Sequence, residues 1–199
     1  MKILCLHGLR HNGTLLEQSM KGISKKFKNI EFVFINSKFK FENEENLYCW
    51  WNANRENALT IDKYDLINES INYILQYWNK DIYDGILGFS QGSVVAQIFC
   101  YYVQNKIIET YAPKFAILCS SSEISDLNLK KLYETKLNLP ICYMYGSKDP
   151  IINSETNMKL IEKLGDNVYI LEHNGGHYVS SNSGTIDKLQ IFFNSLSNN

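Results

Sequence analysis

The chain has 199 residues, 45% of them apolar and 21% charged, with a formal net charge of −1. That composition supports a sizeable core and excludes a disordered chain. Near-neutral charge with scattered Lys and Arg excludes a nucleic-acid footprint or a basic membrane-surface patch. The densest basic cluster, Lys21 to Lys28, falls on an amphipathic pattern and reads as a solvated helix face. No run approaches the ~20 apolar residues of a membrane span, and His7-Gly8 interrupts the apolar start too early for a secretory leader. The cysteines, Cys5, Cys49, Cys100, Cys119 and Cys142, are odd in number and lack metal-ligand spacing. Free buried thiols in a reducing, cytoplasmic compartment are the expectation.

In chain order, Lys2–His7 reads as a first strand. Leu16, Met20, Ile23 and Phe27, at steps of four, three and four, mark one face of a helix. Glu31–Ile35 is a second strand. Residues 37–60 carry no clear period and form an irregular segment. Tyr64, Ile67, Ile71, Ile74 and Trp78 make the next helical stripe. Tyr83–Phe89 is a central strand, and Val94, Val95, Ile98, Phe99 and Tyr102 mark the helix after it. Lys114–Cys119 is a strand. Residues 120–139 are polar, with a weak stripe through Leu127, Leu132 and Leu137. Ile141–Tyr145 is a strand, Asn153–Leu164 a helix ended by a Gly165 C-cap, and Val168–Leu171 the last strand. Ile186, Leu189, Phe193 and Leu196 give a closing helix. Alternating strands and helices predict an α/β fold with a mostly parallel central sheet and helices on both faces. Residues 37–60 and 120–139 are candidates for a small cap, and 1–199 reads as one domain.

The decisive segment is Gly88-Phe89-Ser90-Gln91-Gly92, a G-x-S-x-G core between a strand and a helix. In such a corner the serine stands at a sharp turn, and Cβ atoms at the flanking glycines would collide with neighbouring backbone. A serine hydroxyl needs a base within reach, and the base needs an acid to hold its tautomer. Two histidines follow Ser90. His177, in Glu172-His173-Asn174-Gly175-Gly176-His177, lies on a loop that can fold back over the sheet edge, while His173 sits nearer the strand end and reads as structural. The acid candidate is Asp149, in Gly146-Ser147-Lys148-Asp149-Pro150, against an Asp-Pro turn with no chemical role; Asp126, Asp166 and Glu172 are weaker rivals. For an oxyanion hole, the backbone N–H groups of Gln91 and Leu9 are the candidates, since Gly8 lets the loop after the first strand come close. His7 reads as a shaper of that loop. Trp50 and Trp51 are either walls of an acyl pocket or packing onto the sheet. Ser120-Ser121-Ser122 is either a solvated loop or a source of one hydroxyl facing the cleft. No phosphate loop, dinucleotide fingerprint or metal motif competes, so no cofactor or metal is expected.

Leu4-Cys5-Leu6-His7-Gly8 with Asn12, Tyr83-Asp84-Gly85-Ile86-Leu87-Gly88-Phe89-Ser90-Gln91-Gly92, Tyr145-Gly146-Ser147-Lys148-Asp149 and His173-Asn174-Gly175-Gly176-His177 together resemble the small serine hydrolase family that includes the yeast FSH proteins and the human ovarian-cancer-associated gene 2 product. Trp50-Trp51 resembles that family's aromatic segment. The resemblance implies an α/β-hydrolase fold, Ser90, Asp149 and His177 as a catalytic triad, and cleavage of a small-molecule carboxylic ester or thioester. Against the family pattern, His11 replaces a glutamine, and Asn174 and Ser180 replace prolines. A non-catalytic ligand-binding protein on the same scaffold and a serine peptidase are the alternatives.

Overall fold

A computed structural model describes residues 1–42, 44–51 and 64–196. Six strands form one parallel sheet: β1 (Lys2–Leu6), β2 (Glu31–Ile35), β5 (Gly85–Phe89), β6 (Phe115–Cys119), β7 (Ile141–Gly146) and β8 (Val168–His173), in the order β2-β1-β5-β6-β7-β8. A second, two-stranded antiparallel sheet pairs β3 (Phe39–Lys40) with β4 (Tyr48–Cys49). This ordered pairing lies within the segment expected to be irregular, of which residues 43 and 52–60 fall outside the described residues.

The strands are apolar on both faces, as a sheet covered on both sides requires. Leu4, Leu6, Ile86, Ala116, Leu118, Ile141 and Tyr143 face one core, while Ile3, Cys5, Leu87, Ile117, Cys119, Cys142 and Met144 face the other. The first core is closed by α3 (Tyr64–Lys80), α4 (Gln91–Gln104) and α5 (Ser154–Leu164). The second is closed by α1 (Gly13–Ser19), α2 (Lys21–Lys26) and α6 (Ser183–Leu196). The single helix expected from Leu16, Met20, Ile23 and Phe27 is broken at Met20, yet all four side chains are buried. The apolar period therefore reports the buried face correctly and is silent about the break.

Gly165 caps α5 as expected, with extended backbone at φ 176°. A Cβ there would stand 2.9 Å from the Leu137 carbonyl, and close packing is what the glycine serves. In residues 120–139, Leu132 and Leu137 are buried but Leu127 is 78% exposed, and the only regular piece among the described residues is a 3₁₀ turn at Lys130–Glu134. The segment is held to α4 by polar contacts: Tyr133 Oη donates to Gln97 Oε1 at 2.8 Å, and Gln97 Nε2 donates to the Ser122 carbonyl at 3.1 Å.

All five cysteines are buried and unpaired. No helix among the described residues is long and apolar enough to cross a membrane.

After β1 the chain turns toward α1 on one face, and after β5 it turns toward α4 on the other. Adjacent loops that leave a parallel sheet in opposite directions open a crevice at its C-terminal edge. Gly8 lies at the end of β1 and Ser90 at the end of β5, so that crevice lies between them.

The two faces of α6 make the packing testable. Phe193 is 4% exposed and packs edge-on to Phe27, with ring centroids 5.0 Å apart, whereas Ile191 is 57% exposed. Phe193→Ala should lower the unfolding free energy by about 3–5 kcal/mol, and Ile191→Ala by no more than about 0.5 kcal/mol, as read from urea denaturation midpoints.

Candidate active site

Ser90 is a non-glycine residue at φ 53°, ψ −118°. Such a conformation costs about 1–3 kcal/mol and persists only where its surroundings impose it. Here they do. A Cβ on Gly88 would come within 2.3 Å of the Gly92 carbonyl oxygen, and one on Gly92 within 2.4 Å of the Leu6 and His7 carbonyl oxygens. The strand, the turn and the helix are thus in backbone contact. The Ser90 N–H is held by the Cys119 carbonyl at 2.9 Å, and its own carbonyl accepts from the Ser93 and Val94 N–H groups at 2.9 and 3.2 Å.

The loop after β8 brings His177 to Ser90. Its Nε2 lies 2.9 Å from Ser90 Oγ, and its Nδ1 lies 2.7 Å from Asp149 Oδ2. The Asp149 side chain is fully buried. Its other oxygen, Oδ1, accepts the Ile151 and Ile152 N–H groups at 2.8 and 3.0 Å. One carboxylate oxygen is therefore anchored to backbone and the other is aimed at the imidazole. With an acidic acceptor at Nδ1, the proton of a neutral ring sits on Nδ1, and Nε2 carries the lone pair that faces the serine.

The glycine loops make this convergence possible. A Cβ on Gly146, at the end of β7, would stand 2.3 Å from the Gly175 carbonyl oxygen, so the Asp149 and His177 loops are packed backbone to backbone. The Lys148 N–H donates to that same Gly175 carbonyl at 2.9 Å.

The other candidates lie outside this hydrogen-bonded chain. His173 is buried, its ring lies tilted against that of Tyr178 with centroids 5.1 Å apart, and burial pushes its pKa down. Its carbonyl, which accepts from the Ser147 and Gly175 N–H groups at 2.9 Å, ties the two loops together. Asp126 caps a turn through the Asn128 and Leu129 N–H groups, Asp166 pairs with Lys136, and Glu172 accepts from Tyr145 Oη at 3.1 Å.

Gly8 brings the loop after β1 over the serine: a Cβ on it would be 3.2 Å from Ser90 Cβ. Leu9 is the next residue, half-buried, and Gln91 opens α4. His7 is fully buried with both ring nitrogens used. Nδ1 donates to the Gly8 carbonyl at 2.7 Å, and Nε2 accepts the Ser37 N–H at 3.0 Å. Burial pushes its pKa down to about 4, so the ring is neutral and braces the loop. Beside it His11, half-buried, lies 6.1 Å from the Phe89 ring, which in turn lies 5.2 Å from His177.

Trp50 and Trp51 are fully buried in the core beneath α3 and α4, so neither presents a solvent-facing wall. Ser120, Ser121 and Ser122 are buried as well, which overturns the solvated-loop reading. Composition suggested solvent exposure because three serines in a row are usually surface residues; here Ser121 and Ser122 serve the contacts between residues 120–139 and α4. Composition had no means of showing how far Gln97 and Tyr133 participate, because each is polar, aromatic or amphipathic without a local pattern.

A protein-family model described as serine hydrolase (FSH1) matches residues 1–189. Esterase CG5412 of Drosophila melanogaster is 30% identical over 213 residues, spanning 98% of this chain and 72% of that protein. Esterase OVCA2 of Danio rerio is 27% identical over 219 residues, spanning 96% of each. Among solved structures, esterase PE8 matches with a TM-score of 0.76 at 17% identity, covering 98% of this chain and 92% of that one. Acyl-protein thioesterase 2 of Zea mays matches with a TM-score of 0.72 at 17% identity, covering 98% and 93%. At such identities the structural likeness bears on architecture, and the architecture is the α/β-hydrolase fold. With a matching model over nearly its whole length, the chain belongs to the FSH1 family of serine hydrolases.

Proposed function

We propose that this hydrolase cleaves a small-molecule carboxylic ester or thioester through an acyl-enzyme on Ser90, with His177 as base and Asp149 as the acid that orients it. The observation that carries this reading is the hydrogen-bonded chain from Ser90 Oγ to His177 Nε2 at 2.9 Å and from His177 Nδ1 to Asp149 Oδ2 at 2.7 Å. Relatives named as esterases and a fold neighbour that is an acyl-protein thioesterase support the bond type.

In the first half-reaction Ser90 Oγ attacks the acyl carbonyl as His177 Nε2 takes its proton. The N–H groups of Leu9 and Gln91 receive the oxyanion. The positive end of the α4 dipole lies at Gln91, where it favours the negative charge that develops. The carbonyl reforms, the bond to the alcohol or thiol breaks, and the leaving group departs with the proton from His177. In the second half-reaction water gives a proton to His177 Nε2 and attacks the acyl carbonyl, the bond to Ser90 Oγ breaks as His177 returns the proton to that oxygen, and the carboxylic acid leaves. Asp149 stays ionised throughout and stabilises the imidazolium. None of these steps calls on a cofactor.

We read residues 1–199 as one hydrolase domain, because the loop after β1 and the loops after β5, β7 and β8 meet at one edge of a single sheet. Five buried, unpaired thiols suit a reducing, cytoplasmic setting. A ligand-binding protein on the same scaffold would have no need of an aligned Ser–His–Asp chain.

Two experiments test the reading. Native protein should react with a fluorophosphonate probe and hydrolyse members of a panel of graded-length esters and thioesters, while Ser90→Ala should do neither; turnover only of peptide amides in the same panel would favour the peptidase alternative. Asp149→Asn should keep the fold, since an amide oxygen still accepts the Ile151 and Ile152 N–H groups, and should lower kcat by about 10⁴-fold by reversing the imidazole tautomer. A loss below tenfold would remove Asp149 from the mechanism.

A further inference from the structure

Trp50 makes its polar contacts on both sides of the catalytic crevice. Its indole Nε1–H donates to the His7 carbonyl at 2.8 Å, and its backbone N–H donates to Gln91 Oε1 at 2.9 Å. Its ring lies 5.2 Å from the His7 ring. His7 sits two residues before Leu9, and Gln91 is the other donor residue. One buried residue therefore bridges the two chain segments that supply the two N–H groups assigned to the oxyanion.

We propose that Trp50 is the positioning residue of the oxyanion hole, fixing the distance between the loop after β1 and the start of α4. The inference rests on the reading of Leu9 and Gln91 as donors.

Three features separate this from ordinary core packing. First, the segments it bridges touch with no room for adjustment, since a Cβ on Gly92 would lie 2.4 Å from the His7 carbonyl oxygen. A strut at that contact controls sub-ångström spacing, which is the scale on which oxyanion stabilisation depends. Second, Trp50 is itself anchored on independent elements: its carbonyl accepts from Ser70 Oγ on α3, and the neighbouring Cys49 carbonyl accepts from Ser37 Oγ at 2.6 Å. The Ser37 N–H in turn holds His7 Nε2 at 3.0 Å. Ser37, Cys49 and Trp50 are thereby wired to the crevice. Third, the molecule contains an internal contrast. Trp78 is equally buried, and its indole also donates to a backbone carbonyl, that of Tyr111 at 3.0 Å, but this bond joins α3 to the loop before β6 and touches neither donor segment.

The contrast supplies the experiment. Trp50→Phe and Trp78→Phe each remove one buried indole hydrogen bond and similar volume, so both should lower Tm. On a p-nitrophenyl ester, Trp50→Phe should lower kcat roughly tenfold to a hundredfold with KM within about twofold, because the loss falls on charge that develops only in the transition state. A trifluoromethyl ketone, whose adduct with Ser90 carries the oxyanion, should bind more weakly by a similar factor. Trp78→Phe should leave kcat and ketone affinity at wild-type values. Gln91→Met, which keeps the backbone N–H and removes the Oε1 acceptor, should share the Trp50→Phe phenotype and decides the matter should Trp50→Phe fail to fold. Wild-type kcat and ketone affinity in Trp50→Phe, or in Gln91→Met where that variant decides, would overturn the inference while leaving the hydrolase reading intact. A wild-type protein that escapes fluorophosphonate labelling would overturn both.

Discussion

The site depends on the close approach of α4 to the ends of β1 and β5. Backbone meets backbone at Gly88, Gly92 and the carbonyls of Leu6 and His7, and no residue with a side chain fits at either glycine. This contact forces Ser90 into its positive-φ turn and brings the loop carrying Gly8 and Leu9 over it. The strain of about 1–3 kcal/mol at Ser90 is outweighed by the burial of α4. Val94, Val95, Ile98 and Phe99 are each 1% exposed or less, and each contributes about 1.5–3 kcal/mol. A helix buried on every side is an unusual use of core volume, and here it is what holds Ser90 in a conformation that a solvated turn would relax.

Asp149 and His177 are held beside Ser90 by a different device. β7 and β8 are neighbours in the sheet, so the loops that leave them run side by side, and the Gly146–Gly175 contact locks them together. Behind Asp149, Asn157 Nδ2 donates to the carbonyls of Ile152 and Asn153 at 3.2 and 2.9 Å, and Asn157 Oδ1 lies 2.8 Å from Tyr143 Oη. The turn that presents two N–H groups to the carboxylate is thus tied to the core strand β7. Three functional groups from three loops meet because one sheet edge supplies all three loops and the glycines remove the bulk between them.

Much of this was legible in the chain itself. The G-x-S-x-G corner, Asp149 before a proline and His177 behind two glycines each carry a local signal, because sharp turns impose residue types at fixed offsets. The strands were legible for a related reason: a sheet covered on both faces needs near-continuous apolar runs, and Ile141–Gly146 or Phe115–Cys119 leave little else to read. Helical periods identified buried faces well, yet they did not reveal the break at Met20, since all four apolar side chains remain in phase across it. The stripe through Leu127 failed because its other members, Leu132 and Leu137, are buried by contacts that no helical period describes.

The sequence by itself determined the fold class and the strand–helix alternation, and it singled out Ser90, His177 and Asp149, which the structure brings into one hydrogen-bonded chain, each from a signal in its own neighbours along the chain. Only the tertiary structure decided that Trp50 reaches His7 and Gln91, that the serines after β6 are buried, that His173 braces a loop, and that Gly165 serves packing. Those outcomes turn on contacts between residues up to 43 positions apart, as for Trp50 with His7. A tryptophan, a serine or a histidine has the same local pattern whether it lines a pocket, faces water or braces a loop, and its role is settled by what the rest of the chain brings against it.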